Sequence, residues 1–158
     1  MTAPSAISRT EPTGIKLSDG YQTTIAMNNL PAIAFWEKTV GFPAIDGGDG
    51  VDQTTMFNEA WMTQLPSTLK KGEPFDVLAA YDPRVATEVE AQCNINQNIT
   101  ITLPDGSTYS FYGWLKTFSP ADLVRGTQPE TTITFEVSNV DPITQGEEAP
   151  VMVEVAGT

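Results

Sequence analysis

Apolar and polar residues alternate with a period of two through much of the chain, the spacing of half-buried strands. The clearest case is residues 98–118, NITITLPDGSTYSFYGWLKTF, where Ile99, Ile101 and Leu103 alternate with Asn98, Thr100 and Thr102. Pro104-Asp105-Gly106 supplies turn chemistry, so the stretch predicts a β-hairpin. On the return strand Tyr109, Phe111 and Leu115 share one face, and Tyr112, Trp114 and Phe118 share the other. Both faces therefore seek burial, and Gly113 between them is the expected site of a bulge. A second run, residues 131–139, puts Ile133, Phe135 and Val137 on one face and Thr132, Thr134 and Glu136 on the other.

Shorter runs complete the outline. Residues 21–27 and 32–37, around the turn pair Asn28-Asn29, read as strands, as does 51–58; 75–81 is a short apolar run, and 151–155 reads as an edge or donated strand. Asp82-Pro83 before RVATEVEAQCN gives an N-cap, a first-turn proline and a short helix, with Val85, Val89 and Cys93 toward the core. In residues 59–74 Trp61, Leu65 and Leu69 stand at helical spacing, but Pro66 breaks the pattern and the segment reads as irregular. Residues 41–50, GFPAIDGGDG, read as a loop. The expected organisation is a flexible N-terminal arm (1–14), one β domain (15–142) and a C-terminal tail strand (143–158). The expected fold class is mainly β, a sandwich or barrel with one short α-helix.

Composition sharpens this picture. A chain of 158 residues, 40% hydrophobic and 18% charged, suits one domain with a real core. Twenty acidic against eight basic residues give a net charge of −12, which repels polyphosphate and argues against tight nucleic-acid binding. Asp46, Asp49, Asp52 and Glu59 occupy residues 41–60 without a Lys or Arg. The single cysteine, Cys93, excludes an internal disulfide framework. The N-terminus lacks an apolar leader pattern and the run Leu30–Trp36 is too short to span a bilayer, so a soluble cytosolic product with no membrane anchor is expected.

Chemistry is harder to find. The chain has no histidine, which removes the commonest general base, the commonest metal ligand and every Ser-His triad. No catalytic, cofactor or metal site is assigned, and the expectation is a protein that is not an enzyme. GGDGVD, residues 47–52, matches the GGxGxD part of calcium-binding β-roll repeats, but it occurs once where a roll needs several copies. The aromatics of 109–118 leave two readings open: a sugar-stacking platform, or burial in a core or protein interface.

Residues 101–142 resemble the end of the tail-tube domain of long-tailed, lambda-like bacteriophages. In that family a strand, a Pro-(Asp/Asn)-Gly turn, an aromatic-Gly-Trp strand, a variable loop and a Thr-rich strand ending in Thr/Ser-Asn-Val follow in this order. The matching landmarks are Pro104, Asp105, Gly106, Phe111, Gly113, Trp114, Thr132, Val137, Ser138, Asn139 and Val140.

The resemblance implies a virion structural protein assembled in the host bacterial cytoplasm. Its partners are further copies in stacked hexameric rings, other virion tail proteins, and DNA passing through the lumen at ejection without tight binding. Alternation then nominates Asn98, Thr100, Thr102, Thr132, Thr134 and Glu136 as lumen-facing. Tyr109, Phe111, Tyr112, Trp114 and Phe118 become core or interface residues. Residues 1–14, 41–73 and 143–158 are the segments expected to bridge rings, with Asp46, Asp49, Asp52 and Trp61 on the stacking loop. A capsid decoration or cement protein, and a carbohydrate-binding β-sandwich module, are the alternatives.

Overall fold

The computed structural model describes residues 23–29 and 36–154. Strands β1 (Thr24–Met27) and β2 (Trp36–Val40) precede four two-residue strands, β3 (Ile45–Asp46), β4 (Val51–Asp52), β5 (Gln64–Leu65) and β6 (Lys71–Gly72). There follow β7 (Phe75–Ala80), helix α1 (Pro83–Ala91), β8 (Gln97–Thr102), β9 (Thr108–Pro120), β10 (Glu130–Val137) and β11 (Val151–Val153). The main sheet runs β1-β8-β9-β10-β7-β2, and β11 pairs with the first residues of β9. The fold is mainly β with one short helix, as the alternation predicts. The expected arm 1–14 lies outside the described residues, and of the strand expected at 32–37 only the part from Trp36 is described.

Alternation sorts the sheet into two faces. Ile25 and Met27, Phe75, Val77 and Ala79, Ile99 and Ile101, Tyr109, Phe111 and Leu115, and Ile133 and Phe135 are all buried on one side. Val89 of α1 joins the same cluster and Cys93 packs against it. The helix is tied to β9 just beyond its end, where the Asn94 N–H donates to the Leu115 carbonyl at 2.9 Å. Asn94 has φ of 61°, a left-handed conformation that Asn tolerates better than most residues. At the centre, Phe75 stacks on Phe135 (5.4 Å between ring centroids) and meets Phe111 edge-on (5.6 Å).

Strand β9 corrects two sequence expectations. The bulge lies at Lys116 rather than Gly113: Leu115 pairs with Phe135 while Thr117 pairs with Thr134, leaving Lys116 as the extra residue. Side-chain parity resets there, so Phe118 pairs with Ile133 and packs against the core instead of sharing a face with Tyr112 and Trp114. Gly113 serves close approach. It pairs with Val137, and a Cβ added to it would collide with the Glu136 carbonyl oxygen.

The run 51–58 is strand only at Val51–Asp52. Beyond it the Asp52 and Asn58 carboxyl and amide oxygens capture the N–H groups of Thr54 and Thr55, each at 2.8 Å, which turns the chain.

The two ends of the main sheet approach each other, and the Ile25 N–H donates to Glu37 Oε1 at 3.1 Å. Glu37 pairs across β2 with the buried Ala79, and partial burial pushes its carboxyl above the usual range. A raised folded-state pKa means stability that is full below the unfolded carboxylate pKa and is lost as pH rises through the folded value. Glu37→Gln keeps an oxygen acceptor without the charge. Its urea midpoint relative to the parent should therefore climb as pH is raised from about 4 to about 8; a constant difference would mean that Glu37 is not strained by burial.

Candidate functional site

The polar face of the sheet collects residues from five strands. Residues directly opposite in an antiparallel ladder lie on the same side. Thr102 stands opposite Thr24 and Thr108, Thr100 opposite Ser110, and Asn98 opposite Tyr112. Across the sheet Thr132 faces Ser119, Thr134 faces Thr117 and Asp76, and Glu136 faces Trp114. All six residues nominated by alternation thus share one half-buried face. The sequence reading missed Thr108, Ser110 and Asp76, although Asp76 alternates with buried Phe75 and Val77 in the same way.

Hydrogen bonds organise this face. Thr134 Oγ1 donates to Asp76 Oδ1 at 2.7 Å, and the hydroxyls of Thr100 and Ser110 are 3.2 Å apart. Lys116 Nζ lies 2.8 Å from Glu136 Oε1, so the bulge residue brings a cation to the nominated acid. The face is mainly hydroxyls and carboxylates, with the Lys116 ammonium paired to an acid and Tyr112 and Trp114 half-buried among them.

The aromatic residues divide. Tyr109 and Phe111 are core residues, and burial pushes the Tyr109 phenol up. Neither presents a ring to a sugar. Phe118 packs on the core and leans on Tyr81, while Tyr112 and Trp114 lie half-buried among the threonines.

The segment between β2 and β7 is a two-stranded ribbon. β3 pairs with β6 near the sheet and β4 with β5 farther out. Phe42 anchors its root on Tyr109, ring centroids 4.7 Å apart. Asp46, Asp49, Asp52 and Trp61 all lie on this ribbon and are exposed. Asp46 Oδ1 accepts from the Gly48 N–H at 2.9 Å, and Thr54 holds the Asp52 carboxyl below its usual range. Asp52 of the calcium-like stretch and Asp46 just before it thus shape turns. Among the described residues no group of three or more acidic or thiol side chains is placed to hold a metal.

No protein-family model matches the chain, and no curated protein matches it. Solved structures do. The chain is similar to one from the sheath-tube complex of an extracellular contractile injection system (PVC) in its extended state, solved by cryo-EM. The TM-score is 0.61 at 11% identity, over 98% of this chain and 100% of that one. It is also similar to a chain of the anti-feeding prophage (AFP) baseplate, 6-fold symmetrised, with a TM-score of 0.52 at 12% identity, over 83% of this chain and 90% of that one. At such identities the likeness is one of fold: this chain has the fold found in components of phage-tail-like injection machines.

Proposed function

We propose that this chain is a tube subunit of a phage-tail-like particle, forming stacked hexameric rings whose lumen conducts DNA. The observation that carries the reading is the two-faced sheet. One face closes a core within a single chain, while the other gathers threonines, serines and acids from five strands into an extended polar surface. Whole-length likeness of fold to a chain of a sheath-tube complex supports the same assignment. Nothing in this arrangement calls for catalysis, and the protein acts by assembly.

Assembly of the tube then follows from the edges. Three exposed apolar residues of β11, Val151, Met152 and Val153, add a short strand beside β9. Unpaired strand edges are templates for another chain, and a ring closes them. Copies that each carry −12 repel one another, so assembly strengthens as salt screens them.

Antibody-gold labelling of the parent particle tests the assignment. Gold distributed along the tail is the expected result. Gold confined to the head would overturn the tube in favour of a decoration or cement protein.

A further inference from the structure

Where β8 begins, a row of polar side chains crosses the sheet. Met27 pairs with Ile99, so Asn28 comes opposite Asn98, and the Asn28 N–H donates to the Asn98 carbonyl at 2.9 Å. Asn98 in turn pairs with Tyr112. Residues opposite one another in a ladder lie on the same side, so two amides and a phenol stand next to each other. An open cleft of about 350 Å³ is lined by this row and by Asn96, Asp141, Pro142 and Ile143.

Much of the cleft is already held in place. Asn96 Nδ2 donates to the Val140 carbonyl at 2.9 Å, and its Oδ1 accepts from Ser138 Oγ at 3.0 Å. Asp141 Oδ1 accepts from the Ile143 N–H at 2.8 Å, and Gln97 Oε1 accepts from the Asn29 N–H at 2.9 Å. The row itself is not so engaged. Asn98 Oδ1 is buried without a partner among the described residues, a costly state that a donating ligand would relieve. The terminal torsion of an Asn side chain is soft, so this amide can turn toward the cleft to meet one.

The lining defines the ligand. Asp141 is its one charged residue, and no Lys or Arg is present to attract a phosphate or carboxylate. Amides and a phenol supply both donors and acceptors, which suits hydroxyl groups that also do both. Tyr112, Pro142 and Ile143 add apolar surface of the kind that meets the C–H face of a sugar ring. We propose that this cleft binds a neutral saccharide of one or two rings. The inference goes beyond the assembly reading and does not depend on it.

Calorimetric titration of the full chain with glucose, galactose, N-acetylglucosamine, cellobiose, lactose and chitobiose tests it. At least one of these should bind, and glucuronic acid should bind at least about tenfold more weakly than glucose, since its carboxylate meets Asp141 with no cation nearby. Tyr112→Phe removes only a hydroxyl and should weaken binding about threefold to tenfold, the range of one neutral hydrogen bond. Asn98→Leu should weaken it by at least as much, while Leu123→Ala, at an exposed residue outside the cleft, should leave it unchanged. Urea midpoints of the same variants keep lost binding apart from lost folding. Absence of binding by every sugar at any soluble concentration would overturn the proposal. So would sugar affinity that neither Tyr112→Phe nor Asn98→Leu alters, or binding of triglycine in place of the sugars. Gold along the tail and sugar in the cleft are separate results, and either holds without the other.

Discussion

Phe135→Ala should lower the unfolding free energy by about 3–5 kcal/mol, the cost of deleting a large buried aromatic and leaving a cavity. Phe135 is fully buried on β10, between β7 and β9. It pairs with Phe75 on one side and Leu115 on the other, and its ring stacks on Phe75. Nothing nearby collapses easily into the space, because every neighbouring side chain is fixed in a strand. A domain of this size has about 5–15 kcal/mol in total, so the variant loses a large fraction of its stability. The urea midpoint should fall with an unchanged slope, whereas Ile143→Ala, at a residue 91% exposed, should shift it by no more than about 0.5 kcal/mol equivalent. Equal midpoints for the two variants would mean that the core is not centred on β10.

That core was legible in the sequence because strand alternation is local. Ile99, Ile101, Ile133 and Phe135 announce their face two residues at a time, and a turn at Pro104-Asp105-Gly106 joins β8 to β9. The Asp82-Pro83 start of α1 was equally local. What defeated sequence reading was non-local or compensated. The bulge at Lys116 has no composition of its own, whereas the nearby Gly113, which does stand out, is required by contact with β10. The meeting of β1 with β2 depends on a hydrogen bond between residues twelve apart in sequence at the two ends of the sheet. Two-residue strands such as β3 and β4 are too short to show a period, so 41–50 read as a loop and 59–74 as irregular, while the strand read at 51–58 shrinks to Val51–Asp52. Asp76 was missed because a lone acid in an apolar run carries no sign of its partner, Thr134, which lies 58 positions away.

The same face allows a test with a large effect on function. On the tube assignment proposed above, Thr134→Lys combined with Glu136→Lys should slow DNA release from the particle, most strongly at low salt. In the parent, Glu136 holds the Lys116 ammonium at 2.8 Å. The substitution at 136 removes that acid and sets a second cation beside Lys116, while the one at 134 places an ammonium near Asp76, which neutralises part of it. The pair at 116 and 136 is therefore the stronger phosphate site. Neutralising two phosphates makes affinity fall about tenfold between 50 and 200 mM salt, and a tube repeats the site in every copy. Release that is slow at low salt and recovers at high salt is the expected signature, with Thr134→Ser plus Glu136→Asp, which keep the hydroxyl and the acid beside Lys116, releasing DNA at the parental rate. Parental rates for the lysine variant at every salt concentration would take these threonines and Glu136 off the path of the DNA, even if gold still labels the tail.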